Sequence, residues 1–168
     1  AYTKLFYGIH ALNQREGGVP KYLRPMLGGL TLGAIALGLS HFTGESGVLF
    51  GGYGLMETAI SGGLTIPVLL LLLAAKIAAT SATISSGGSG GVFAPALAIG
   101  ALLGAAVGQG AAFLFPGLDI NPAAFALVGM GGFFAGVAKV PITSVIMVSE
   151  MTGSYSLLAP LMLVAVIH

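Results

Sequence analysis

Charge is what this sequence lacks most. Of its 168 residues only 7% are Asp, Glu, Lys or Arg, while 56% are hydrophobic, and the mean hydropathy is +1.01. A soluble domain carries roughly 25% charged residues, so this composition excludes that class and describes an integral membrane protein. Cysteine is absent altogether, which excludes disulfides, thiolate chemistry and cysteine-ligated metals. A net charge of +1 is too small a basic excess to point to nucleic acid. No cleavable signal peptide is visible in Ala1 to Gln14, which mixes polar and apolar residues. What the sequence does have is glycine, 28 residues of it without a G-x-y period. That excludes collagen and favours close helix–helix contact in lipid.

The chain parses into apolar runs of unequal length. Tyr2 to Asn13 reads as the end of a helix with Leu5, Ile9 and Leu12 on one face. Gln14 to Arg24, with Lys4 nearby, holds four of the six basic residues and is expected at the cytoplasmic side. Pro20 can open a helix from about Lys21 to Leu39; the polar, glycine-rich His41 to Gly54 is expected at the opposite face. Leu55 to Ile60 is too short to span and predicts a half-helix sheltered by protein. Thr65 as N-cap, with Pro67 in the first turn, predicts a span to Ile84. A second span, Phe93 to Phe115, carries Gly100, Gly104 and Gly108 at four-residue spacing, which leaves one face open to a close neighbour. Asn121 and Pro122 open a short helix to about Phe134. Two more short pieces, Ile142 to Met151 and Ser156 to His168, follow breaks at Lys139 to Pro141 and Thr152 to Ser154. Broken and tilted helices of this kind belong to transporters and channels rather than simple bundles. The chain starts mid-element and stops inside an apolar stretch, so it is expected to be part of a larger membrane domain.

Between the two spans lies Ser85 to Pro95, S-S-G-G-S-G-G-V-F-A-P. A glycine-rich loop opening a helix aims unpaired N–H groups and the positive dipole end at whatever lies in front. In water this makes a phosphate site; between membrane-length runs it makes an anion site inside a bilayer. Gly87, Gly88, Gly90 and Gly91 remove side chains that would block approach. Pro95 falls in the first turn, where its missing N–H is harmless. The same loop matches G-x-S-x-G around Ser89, a serine-hydrolase pattern and the basis of an alternative reading as an intramembrane serine protease. That chemistry needs a histidine within hydrogen-bond reach, and His10, His41 and His168 all lie near element ends. Lys76 is the one charge inside a clear span. It is read as a structural or pore-electrostatic residue, against snorkelling to the interface. Phe113, Phe115, Phe133 and Phe134 are read as lipid-facing or packing residues.

The residues from Gly91 to Pro95 also fit G-x-F-x-P, and with Ala98 to Gly104, Gly129 to Gly131, Pro141 to Thr152 and Gly51 to Gly54 the chain resembles the CLC family of chloride channels and chloride/proton exchangers. The resemblance covers most of the chain in order. It implies an all-α, multi-pass fold in which residues 1–168 form a partial CLC-type transmembrane domain, the C-terminal half of an inverted repeat. It further implies a chloride ion held by the backbone N–H groups of Val92 and Phe93, with Gly91 and Ala94 beside them. Neither a cofactor nor a metal is implied. The implied partners are the N-terminal half of the same domain, membrane lipid, and a second copy docked through Ile142–Met151 and Ser156–His168. The implied location is the cell membrane. Glu150 matches a glutamate common in the family and is assigned capping or inter-helix hydrogen bonding, not proton transfer. A fragment without activity of its own is the remaining alternative.

Overall fold

Prolines set the helix starts. The computed structural model describes residues 23–43, 51–86, 90–153 and 155–167. Among these lie α1 (Arg24–Thr43), α2 (Tyr53–Ser61), α3 (Ile66–Ser85), α4 (Phe93–Leu114), α5 (Pro122–Ala138), α6 (Pro141–Thr152) and, after a 3-10 turn at Tyr155–Leu157, α7 (Leu158–Ile167). Pro25, Pro67, Pro95, Pro122, Pro141 and Pro160 all fall in first turns, where no intrahelical partner is lost. Asn121 caps α5 by accepting the Ala123 N–H at 3.0 Å. Thr65 holds the N-cap position of α3 in extended backbone, yet its hydroxyl makes no cap bond. Left-handed residues end three helices: Gly62 at φ 75°, Gly153 at φ 63° and, unusually, Lys139 at φ 57°. Pro141 explains Lys139, because it denies Val140 the helical region and the chain must turn one residue earlier.

The boundaries depart from expectation in three places. Helix α1 starts at Arg24 rather than Lys21 and continues through Gly38 to Thr43, so His41 is in its last turn and not in a loop. Helix α5 does not stop near Phe134 but runs to Ala138, 17 residues in all. At 1.5 Å per residue it is about 25 Å long, close to the lower limit for a span; of the three helices expected to be short after Asn121, α6 and α7 remain so. The final helix begins as a 3-10 turn ahead of Pro160. The expected helix over Tyr2 to Asn13, Pro20, and the basic segment up to Lys21 lie outside the described residues.

Among the described residues α3 and α4 are long and apolar enough to cross a membrane. Helix α4 is the axis of the fold, with Leu97, Ala98, Ala101, Leu102 and Ala105 all fully buried. Its glycine stripe faces α5, antiparallel. A Cβ on Gly100 would lie 2.9 Å from the Met130 Cα and the Phe133 Cβ, and one on Gly108 would lie 2.9 Å from the Pro122 Cα. Between them a Cβ on Gly104 would overlap the Phe125 carbonyl, and one on Gly129 of α5 the Gly100 carbonyl. The two backbones therefore touch, a contact that only hydrogen side chains permit. Helix α6 is pinned to the same frame by the buried Ser144 hydroxyl, which donates to the Gly131 carbonyl of α5 at 2.6 Å.

Candidate anion site

Three segments converge on the N-terminus of α4. Val92 is its N-cap, with φ −87° and ψ −13° and no side-chain cap. The first helical bond runs from the Ala96 N–H to the Val92 carbonyl at 3.1 Å. The N–H groups of Val92, Phe93 and Ala94 thus have no carbonyl one turn earlier within the helix, and Pro95 has no N–H to add. A cavity of about 480 Å³ lies against this end, with Lys76, Thr83, Gly90, Gly91, Phe93 and Ala94 in its walls. Gly90 leans on α3, its missing Cβ 3.4 Å from the Thr83 methyl. The sequence-predicted Gly90, Gly91, Phe93, Ala94 and Pro95 are therefore brought together, beside the exposed Val92. Gly87, Gly88 and Ser89 lie outside the described residues.

Three hydroxyls at this end of α3 are turned to their own helix. Thr83 donates to the Ala79 carbonyl at 2.9 Å, Ser85 to Ala82 at 3.3 Å and Ser86 to Thr83 at 2.8 Å. What the end of α4 offers an anion is its backbone N–H groups, with the Lys76 ammonium and the Thr80 hydroxyl elsewhere in the cavity wall. Lys76, in the middle of α3, is 1% exposed, which rules out snorkelling within this fold and leaves it in the cavity wall. The dipole end of α4 and the Lys76 ammonium carry the same sign, and the described lining holds no carboxylate to oppose them. Gly52 completes the arrangement. With φ 85° it turns the chain into α2, and a Cβ there would come within 3.0 Å of the Lys76 Nζ and of the Ala98 Cβ. Sequence reading knew Gly51 to Gly54 only as a family match; the packing role of Gly52 rests on contacts with Lys76 and Ala98, 24 and 46 residues away, which no local pattern encodes.

Other expectations resolve along with it. Phe113 and Phe115 are 84% and 57% exposed, while Phe134 is buried and meets the Phe93 ring edge to face. Glu150 accepts a hydrogen bond from the Tyr155 hydroxyl at 2.9 Å across the α6–α7 break, the inter-helix role assigned to it. That bond and the Glu150 charge push the Tyr155 phenol above its ordinary value. No protease arrangement is seen among the described residues. Gly28 of α1 packs on Ser86, and His41 lies 13 residues further along the same helix, about 20 Å away. Ser89, only three residues beyond Ser86, can reach about 10 Å at most. His10 and His168 lie outside the described residues.

A sequence model described as the voltage gated chloride channel family matches residues 1–167. The chain belongs to this family. The H(+)/Cl(−) exchange transporter ClcA of Vibrio parahaemolyticus is 40% identical over 138 residues, which are 82% of this chain and 28% of that protein. ClcA of Cronobacter sakazakii is 38% identical over 162 residues, 96% of this chain and 34% of that protein. Among solved structures, that of a slow cyanobacterial Cl−/H+ antiporter matches with a TM-score of 0.78 at 26% identity, over 98% of this chain and 38% of that one. The chain spans about a third of the length of these relatives. Its fold is thus part of a CLC membrane domain, all helical among the described residues, and the serine protease reading finds no support.

Proposed function

We propose that this chain supplies one wall of a chloride path across the cell membrane, with the anion resting on the N–H groups of Val92 and Phe93 and beside Gly91 and Ala94. The observation that carries this reading is the cavity at the α4 N-terminus, lined by glycine, Phe93 and a buried lysine and free of carboxylate among its described walls. An anion in hydrocarbon must replace its hydration shell, while a full cation in direct contact would hold it too tightly to leave. A helix end offers roughly half an elementary charge, and Lys76 raises the potential of the same cavity. The path draws on no cofactor or metal, and the chemistry is transfer rather than catalysis. The relatives named above are proton/chloride exchangers, which supports coupled exchange over passive flow.

The remaining walls would come from the rest of the domain. A second copy would dock on α6 and α7, where Ile142, Ile146, Met162 and Val166 are 56 to 80% exposed and line an apolar groove of about 350 Å³. Reconstituting the intact protein that contains this chain in chloride-loaded liposomes tests the reading. Chloride efflux well above empty liposomes is expected, with none from residues 1–168 alone. Efflux at the background rate from the intact protein would overturn it.

A further inference from the structure

The Phe93 ring has a support that lies outside the cavity. Phe93 is half-buried and lines the cavity, whereas Phe134, on α5, is 8% exposed and is absent from the walls. Their ring centroids are 4.9 Å apart at an interplanar angle of 89°, the edge-to-face arrangement in which the positive edge of one ring meets the negative face of the other. Phe134 follows directly on the stretch where α5 is pressed against the α4 backbone, at Gly129, Met130 and Phe133. Its backbone therefore cannot drift relative to α4, and its ring is a fixed stop for a side chain at the mouth of the anion site.

We infer that Phe134 is a positioning residue for anion size discrimination: it holds the Phe93 ring against the cavity wall and so sets the width of the opening over the α4 N-terminus. This rests on the reading of the cavity as an anion path. Truncating Phe134 leaves a ring-sized hole beside Phe93. Close-packed interiors collapse into such holes when a neighbour can move, and Phe93 is the partner free to do so, since one side of it faces the cavity. The ring then tips away from the opening while the N–H donors stay in place. Chloride binding persists, and the opening admits larger anions.

The test uses the intact protein in liposomes, with nitrate and thiocyanate fluxes each measured as ratios to chloride. Phe134→Ala is expected to raise the thiocyanate-to-chloride ratio by about threefold to tenfold, the scale of one lost aromatic pair, with chloride affinity unchanged. Phe134→Leu, which keeps most of the volume, should fold where alanine fails and shift the ratio in the same direction by less. In a Phe93→Ala background the Phe134 change should have no further effect, because its action runs through that ring. A role confined to stability would lower yield and scale all fluxes together, leaving the ratio untouched. Unchanged ratios in both Phe134 variants, or equal effects with and without Phe93, would overturn the inference. Wild-type protein carrying no chloride would instead sink the anion reading itself.

Discussion

Replacing Val92 with proline removes one proposed chloride donor and little else. Val92 has φ −87°, near the value of about −65° that proline imposes, and its side chain is 49% exposed. Its carbonyl still accepts from Ala96, so α4 keeps its first hydrogen bond. Proline restricts the residue before it to extended backbone; here that residue is Gly91, which lies outside any helix. Only the N–H is lost. A hydrogen bond to a charged group is worth about 1.5–3 kcal/mol, and about 1.4 kcal/mol is tenfold in affinity. Chloride should therefore bind roughly 10- to 100-fold more weakly, the Phe93 donor keeping binding measurable. Calorimetric titration of chloride into the purified intact protein reads this directly. Val92→Ala, which keeps the N–H, serves as the reference. Equal chloride affinity in the proline and alanine variants would refute the assignment of Val92 as a donor.

Gly104→Val should destabilise the fold by about 1–3 kcal/mol through overpacking, because its Cβ would overlap the Phe125 carbonyl. Gly110→Ala on the same helix, with nothing within 4 Å, should be neutral or stabilising by up to about 1 kcal/mol; thermal unfolding in detergent that failed to separate the two would contradict the contact between α4 and α5. Ser144→Ala should cost about 0.5–1.5 kcal/mol in the same assay, since it deletes the hydroxyl that ties α6 to the Gly131 carbonyl. Tyr155 should titrate above 10.0 because its hydrogen bond to Glu150 and the Glu150 charge favour the neutral phenol. A raised folded-state value means that its stabilising effect is whole below the ordinary tyrosine range and fades as pH rises through its own midpoint. The phenolate absorbance component lost in Tyr155→Phe identifies it, and Glu150→Gln should move that midpoint down; an unmoved midpoint would show the pair to be inert.

The parts of the fold written in local pattern were legible before the structure. Pro67 and Pro122 marked two helix starts and Pro141 the break before a third, and the spacing of Gly100, Gly104 and Gly108 marked a contact face, though not that α5 fills it. The end of α5 was placed too early: α5 runs through Gly136, a weak helix former, to Ala138, and the stop comes from Pro141 acting back through Val140 onto Lys139. At the site, the helix start around Val92 was legible because glycine and proline encode backbone conformation directly. Lys76 was legible only as an anomaly. Its burial, and its neighbour Gly52, depend on a turn 24 residues earlier in the chain. The Phe93–Phe134 pair joins residues 41 apart, and the sequence could not distinguish packing from lipid exposure among the four phenylalanines at 113, 115, 133 and 134.

The central claim is that a halide rests on the amides that open α4. Crystals of the intact protein grown in bromide, measured at the bromine absorption edge, test it most directly. An anomalous peak within hydrogen-bond reach of the Val92 and Phe93 nitrogens is the predicted result. Bromide bound elsewhere in the path, with none at the start of α4, would contradict it.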